Sequence, residues 1–226
     1  MANQLDLEEQ EQLDQLKHFW NTWGTLISSV LVVVFGALAA WNGYQFWQNR
    51  QATQAAALFD AVEVAVQTGD QKRVEQAFGD IRDKYASTVQ AAQAGLLVAK
   101  LEMDKGQPDA AKAALEWTSK NASDDGYRAI ARLRLASVLL EQKAYDAALQ
   151  ELSDKFPPEM NAVVADRKGD VLALQGKNAE AAAEYSSSYV AFGENVEYRR
   201  LVEVKLNALG VKPVVQAAAS MSEVKK

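Results

Sequence analysis

A long segment without charged side chains near the N-terminus constrains this chain more than any other feature. No Asp, Glu, Lys or Arg occurs between Lys17 and Arg50, and residues 26–40 are apolar apart from two serines. A helix from Trp23 to Tyr44 would be roughly 33 Å long, close to the ~30 Å hydrocarbon core of a bilayer. Aromatic residues flank it on both sides, as they do at membrane interfaces. We therefore predict a transmembrane helix over residues 23–44.

Two other interpretations of this segment remain open. A buried core helix would not need aromatic residues at both ends or so long a charge-free stretch. A cleaved signal peptide is suggested by the small-x-small pattern Ala37-Leu38-Ala39. The long acidic stretch that precedes the apolar core argues against cleavage, because signal peptides begin with a basic region.

The orientation of this helix is only weakly indicated by its flanking charges. Lys17 precedes the apolar segment and Arg50 follows it. The basic residues that govern orientation are therefore equal in number on the two sides. The α-amino group and the short length of the leading tail favour a cytoplasmic N-terminus. The residues alone therefore favour this orientation without fixing it.

The rest of the chain repeats at a nearly constant interval. Turn-forming residues recur with spacings of 37, 37 and 33 residues, close to the tetratricopeptide period of ~34. A two-helix hairpin cannot bury its apolar stripe alone, whereas stacked hairpins share one core. We predict a tetratricopeptide-like array over residues 45–211, with a capping helix over residues 195–209 and a flexible tail over residues 212–226. The equivalent turn residues are Gly69, Gly106, Lys143 and Gly176.

The side chains around these turns support helix pairing. Ala136 and Ala148 are small enough for two helices to approach closely, and Leu139, Tyr145 and Leu152 would fill the space between them. Alanine is abundant and favours helix, and no alternating β-pattern occurs outside the N-terminal apolar segment. The predicted fold is therefore all-α. An irregular helical bundle with accidental spacing is the alternative and has the same class.

Composition excludes several functions. The net charge is −6, with five acidic residues and only Lys17 within residues 1–22, and no basic patch that would favour nucleic acid. The chain has no cysteine, and its single histidine, His18, lies beside the apolar segment. A Cys/His zinc site, thiol chemistry and a Ser-His-Asp triad in the C-terminal part are thereby excluded. We predict no catalytic residue, cofactor or metal, and therefore no enzyme.

Protein binding is the better functional hypothesis. In helical-repeat arrays the first helix of each hairpin lines the concave face. The alternative is that the apolar members of this set are core, since apolar residues at helical spacing are usually buried. By repeat offset, the candidate partner-binding residues are Phe59, Glu63, Leu96, Lys100, Met103, Leu133, Ser137, Leu140, Asp166 and Asp170.

Four stretches of the sequence resemble the YfgM family. They are residues 11–20, which run directly into the apolar helix, residues 133–136 together with 147–149, and residues 164–170. The resemblance covers most of residues 8–209. No single motif is specific, and the order and spacing of the segments next to one membrane helix carry the resemblance.

The resemblance implies a place and partners. Members of this family are ancillary subunits of the SecYEG translocon, with a short cytoplasmic tail and a periplasmic tetratricopeptide-like domain. The implied partners are the translocon, a PpiD-like periplasmic chaperone, secreted client proteins and the lipid bilayer, without nucleic acid. The expectation is an adaptor in the inner membrane with its N-terminus cytoplasmic. A scaffold or regulatory protein of cell division or outer-membrane assembly is the alternative.

Two further surfaces are candidates for docking. Leu13, Leu16 and Trp20 share one helical face within the acidic cytoplasmic tail of residues 1–22, which would suit basic translocon loops or simply solubilise the segment. In the membrane helix, small residues between positions 36 and 43 form a face that allows close helix approach.

Overall fold

The computed structural model describes residues 7–212. Within this range the chain forms α-helices and one short 3-10 turn, Pro158–Met160, and no β-strand. The predicted all-α class is confirmed. Residues 1–6 of the predicted acidic tail and residues 213–226 of the predicted flexible tail lie outside the described residues. The helices are α1 (Leu7–Thr68), α2 (Gln71–Tyr85), α3 (Val89–Asp104), α4 (Pro108–Asn121), α5 (Asp125–Glu141), α6 (Tyr145–Leu152), α7 (Asn161–Leu174), α8 (Asn178–Ala191) and α9 (Tyr198–Ala208).

The first helix contains both the apolar segment and the start of the repeat array. It is continuous over 62 residues, and no glycine or proline occurs between Gly43 and Gly69 to interrupt it. The chain divides into two compact units, residues 1–51 and residues 52–226. α1 therefore contributes its N-terminal part to the first unit and its last 17 residues to the second.

In the first unit, α1 has the length and composition of a membrane span. The candidate span lies within Glu11–Thr68, and only 6% of its most apolar 18-residue window is buried. The core helix of a soluble protein is mostly buried, so this exposure argues against the core-helix interpretation.

Two polar side chains of the predicted membrane segment bond to the backbone of the same helix. The Ser29 hydroxyl donates to the Thr25 carbonyl at 2.7 Å, and the Asn42 amide donates to the Leu38 carbonyl at 2.9 Å. An unpaired polar group in hydrocarbon costs several kcal/mol. These bonds lower the cost of placing Ser29 and Asn42 in lipid.

The second unit is a stack of helical hairpins. α3 pairs with α4, α5 with α6 and α7 with α8. The last part of α1 and α2 contribute side chains to the same core cluster. The second helix of each hairpin packs against the first helix of the next, and the first helices of neighbouring hairpins contact each other from α3 to α7. α9 packs on α8 and covers the end of the stack. One core cluster runs from Ala55 to Val171, and a second lies between α7, α8 and α9.

The predicted turn equivalence is visible in the backbone. Gly69, Gly106, Lys143 and Gly176 all have left-handed conformations, with φ of 68°, 71°, 59° and 76°. The last three share a second feature. The turn residue and its successor donate backbone hydrogen bonds to the carbonyls three and five residues earlier, which satisfies the end of the first helix.

A fifth turn of the same kind follows α9. Gly210 lies 34 residues after Gly176 and has φ of 77°. Its N–H donates to Asn207 and the N–H of Val211 donates to Leu206, each at 3.0 Å. Gly210 is not among the turn residues predicted from the spacing. α9 is therefore equivalent to the first helix of a hairpin.

Side-chain size at fixed offsets from the turns explains the helix pairing. The fifth residue after each turn is a valine or an alanine and is almost fully buried, as is the predicted close-contact residue Ala136. At Gly169 a Cβ would lie 2.5 Å from the ring of Tyr185, so only glycine allows this approach of α7 and α8. The buried residues five after the turns are Val74, Ala111, Ala148 and Ala181.

Lys143 offers a direct test of the turn geometry. It is the only described non-glycine residue with positive φ, and a left-handed L-residue is strained by about 1–2 kcal/mol. Glycine at this position removes the strain. Part of this stabilisation is offset because glycine makes the unfolded chain more flexible. We expect Lys143→Gly to raise the free energy of unfolding by about 0.5–1 kcal/mol, measured by urea denaturation.

Lys177 supplies a matched control for this change. It follows Gly176 directly and has an ordinary φ of −83°. Lys177→Gly should therefore give no stabilisation. A Lys143→Gly variant that is as stable as the parent, or less stable, would contradict the equivalence of Lys143 with the glycine turns.

Candidate functional site

The predicted partner-binding residues lie on the first helices of the four hairpins, and they differ in how much of each side chain is exposed. Glu63 and Lys100 are exposed, and Ser137 is half-buried with its hydroxyl bonded to the Leu133 carbonyl at 3.2 Å. Leu96 is buried in the main core. The remaining apolar members, Phe59, Met103, Leu133 and Leu140, pack against that core and keep part of their surface exposed.

Asp166 has an internal role. Its side chain is fully buried, and its two oxygens accept hydrogen bonds from the Tyr198 hydroxyl and the Lys205 ammonium, each at 2.7 Å. Both donors lie on α9. Asp166 therefore fastens α9 to α7 and does not present its carboxylate to a partner.

Asp170 extends this network one turn further along α7. It accepts hydrogen bonds from the Tyr185 hydroxyl at 2.8 Å, from Lys205 at 2.7 Å and from Arg167 at 3.0 Å. Its side chain is only 17% exposed. The repeat offset predicted that both aspartates lie on the concave face. It gives no information about Lys205 of α9, which bonds to both of them, or about the Tyr198 hydroxyl, which bonds to Asp166.

The two tyrosines of the network are held in their neutral form. Burial, followed by the hydrogen bond to Asp170, raises the pKa of Tyr185 well above its ordinary value of 10.0. Burial and the hydrogen bond to Asp166 raise the pKa of Tyr198 to about 12. Both phenols act as donors to carboxylates, and an ionised phenol could not.

This arrangement predicts a loss of stability in alkali. Because the pKa of Tyr198 is raised in the folded state, its contribution to the free energy of unfolding is complete below pH 10, the pKa of the unfolded state. That contribution is lost as the pH rises through about 12. We expect the urea midpoint to fall more steeply between pH 9.5 and 11.5 in the parent than in Tyr198→Phe, which has no ionising group there. Both proteins retain the other residues of the network, so Tyr198 is the only difference between them. If the urea midpoint fell equally steeply with pH in both proteins, the stabilising role assigned to the neutral Tyr198 would be contradicted.

By the same repeat offset, the predicted concave face would extend onto α9. Val204 lies six residues before Gly210, as Glu63, Lys100, Ser137 and Asp170 lie six residues before their own turns. It is 62% exposed, and Leu201 on the same face is 46% exposed. These residues are not among the predicted partner-binding residues, because the helix over residues 195–209 was predicted to be a cap. The 34-residue spacing to Gly210 was the signal that would have included them.

An apolar groove lies at the other end of the array. It is formed by α2 and the last part of α1, and its volume is about 480 Å³. Leu58, Ala61 and Val64 provide much of its apolar lining, and Arg73 and Asp80 are the charged residues that α2 contributes. Between residues 7 and 212, no group of three or more His, Asp or Glu side chains is arranged to hold a metal ion.

Comparison with known proteins agrees with this architecture. A family model described as a tetratricopeptide repeat-like domain matches residues 17–211. A Neisseria gonorrhoeae protein named ancillary SecYEG translocon subunit is 35% identical over 207 residues, which cover 90% of this chain and 98% of that protein. The chain belongs to the YfgM family.

More distant relatives of this YfgM-family chain have the same name. The Haemophilus influenzae protein is 28% identical and the Escherichia coli K12 protein 26% identical, each over 206 residues and 90% of this chain, with 98% and 97% of the relatives covered. No solved structure matches the chain. The similarity thus includes both the apolar segment and the repeat array.

Proposed function

We propose that this protein is a membrane-anchored, protein-binding adaptor at the SecYEG translocon, which links secreted proteins to periplasmic chaperones. The observation that carries the proposal is the similarity, over nearly the whole chain, to relatives named ancillary SecYEG translocon subunit. The exposed apolar helix and the stacked hairpins support it, because the first suits a membrane anchor and the second suits protein binding.

The proposed topology follows the predicted segments. Residues 1–22 form an acidic cytoplasmic tail, residues 23–44 cross the inner membrane once, and residues 45–211 form the periplasmic domain. This orientation rests on the family resemblance and on the α-amino group, since Lys17 and Arg50 balance each other. The array then lies on the side where translocated chains emerge.

The concave face is the proposed site for protein partners, including secreted clients and a PpiD-like chaperone. Glu63 and Lys100 offer opposite charges, while Val204 and Leu201 offer exposed apolar surface at the α9 end. A face that mixes apolar and charged side chains suits varied, partly unfolded segments, which expose both. Binding, without covalent chemistry, is the activity that we assign to the domain.

Isolation of a tagged chain from membranes in mild detergent tests this function. We expect SecY and a PpiD-like chaperone to co-purify with the full chain. The matched control has residues 23–44 replaced by an unrelated apolar helix of equal length, which separates association through the anchor from association through the domain.

The composition of the complex distinguishes the alternatives. Recovery of cell-division or outer-membrane assembly proteins without SecY would overturn the adaptor proposal in favour of an envelope scaffold. The acidic tail is tested in the same preparation, since loss of residues 1–16 should weaken recovery of SecY if Leu13, Leu16 and Trp20 dock on the translocon.

A further inference from the structure

Two apolar positions at the N-terminal end of the array are exposed, although their equivalents further along the chain are covered. Ala61 and Val64 lie eight and five residues before Gly69 on the last part of α1. Both are exposed, Val64 at 56%. None of the residues at these two offsets before the later turns is exposed. Those that are no more than 5% exposed are Val98, Leu135, Val138, Val171 and Val202.

A helix packs against the first helix at each later position in the stack. α2 packs on α3, α4 on α5, α6 on α7 and α8 on α9. The compact unit of residues 52–226 begins with the last part of α1, so no hairpin precedes that helix within the described residues of the unit. Ala61 and Val64 therefore lack the neighbouring helix that their equivalents have.

The two ends of the array differ in polarity. At the C-terminal end, the pocket beside α9 is lined mainly by polar side chains, among them Arg199, Arg200 and Glu203. A polar outer surface is what the terminal unit of a repeat array requires in water. The N-terminal end instead has the apolar groove of about 480 Å³, to which Leu58 and Ala61 contribute. An apolar surface at the end of a stack indicates an interaction site.

The charged side chains of this groove are mostly acidic. Asp60 on α1 and Asp80 on α2 line it, and Arg73 is its only cation. Arg73 lies 3.2 Å from Asp70, and Asp80 lies 2.9 Å from Lys84. Asp60 is exposed, and no ion pair joins it to another residue within residues 7–212. A basic group on a docked partner would therefore meet an unpaired carboxylate here.

We propose that this groove binds an amphipathic α-helix of another protein, with an apolar stripe on Ala61 and Val64 and a lysine or arginine beside Asp60. The helix would take the place that the second helix of a preceding hairpin would have. From Leu58 to Val64 the groove follows about 9 Å of the α1 axis. This length accommodates side chains at positions i, i+4 and i+7 of a docked helix, which is the usual spacing of anchors in helix-in-groove recognition.

Charge favours a basic helix over a second copy of this chain. A two-fold pairing would place the same surface on both sides, so Asp60 and Asp80 of each copy would add to one acidic interface. A basic helix complements that charge. None of the predicted partner-binding residues of the concave face lines the groove. The helix and a protein on the concave face therefore occupy separate surfaces.

Photo-cross-linking of the full chain in nanodiscs of zwitterionic lipid tests this proposal. The probes are two alanine-rich helical peptides of about 18 residues, each with leucines at i, i+4 and i+7. They differ only in having lysine or glutamate beside the leucine stripe. With a benzophenone side chain in place of Val64, the lysine peptide should give about two- to fivefold more adduct than the glutamate peptide. The control has the benzophenone in place of Val190, which is 59% exposed on α8, and should show no preference.

Charge reversal identifies the carboxylate that selects the peptide. In Asp60→Lys the preference should invert, whereas Asp83→Lys makes the same change on α2 outside the groove and should leave it as in the parent. Equal yields of the two peptides, or a preference that Asp60→Lys leaves unchanged, would overturn the proposal. Cross-links between two copies in place of peptide adducts would overturn it in favour of self-association. No translocon is present in these measurements, so their outcome is independent of the proposed function.

Discussion

Replacement of Asp166 by alanine is expected to lower the free energy of unfolding by about 3 kcal/mol. The carboxylate is fully buried and is the acceptor for both Tyr198 and Lys205. Its removal leaves a buried hydroxyl and one side of an ammonium group without partners, and that penalty exceeds the worth of an ordinary exposed ion pair. α9 should be the first element to detach.

Urea denaturation, with the helical signal as the measure of unfolding, gives this loss of free energy. Two related variants show which interaction causes it. Asp166→Asn retains an acceptor for Tyr198 and should cost less than the alanine variant. Asp166→Ala combined with Tyr198→Phe should recover part of the loss, because the hydroxyl that is left without an acceptor is gone. A loss below about 1 kcal/mol in Asp166→Ala would contradict the role assigned to this carboxylate.

Introduction of two arginines into the apolar part of α1 is expected to abolish membrane integration. An arginine near the centre of a membrane helix costs about 3 kcal/mol in insertion, so Val32→Arg with Phe35→Arg costs about 6 kcal/mol. Both side chains are exposed on α1, so the protein itself offers no partner for the new charges. The protein should move from the membrane fraction to the soluble or aggregated fraction after carbonate extraction.

A pair of arginines at the edge of the segment is the matched control. Gln48→Arg with Gln51→Arg adds the same charge beside Arg50, where basic side chains reach the lipid headgroups. This variant should remain in the membrane. If the Val32 and Phe35 variant also remained fully integrated, the segment would not be the anchor.

The repeat could be predicted because turn chemistry recurs along the chain. Gly69, Gly106 and Gly176 are conspicuous, and the equivalence of Lys143 followed from its spacing although its side chain is unusual for a left-handed turn. The 62-residue continuity of α1 was also visible in principle, since no residue breaks the helix before Gly69. Local features of this kind are encoded within one or two helices.

The candidate site was harder to predict because it depends on contacts between distant residues. Asp166 and Asp170 have the right offset for the concave face, yet their partner Lys205 is 39 and 35 residues away. Repeat offset indicates the face of a helix, but it does not indicate which groups a neighbouring helix brings to that face. Leu201 and Val204 were missed for the converse reason, since their helix was assigned a capping role alone.

Direct binding to purified translocon tests the central claim. The full chain and SecYEG would be combined in lipid nanodiscs and separated by size, with the control chain that carries an unrelated apolar helix in place of residues 23–44. The adaptor account predicts a stable complex of the full chain with SecYEG that survives dilution and that also captures a PpiD-like chaperone when it is added. No complex with SecYEG under these conditions, for a chain that is folded and integrated in the bilayer, would contradict it.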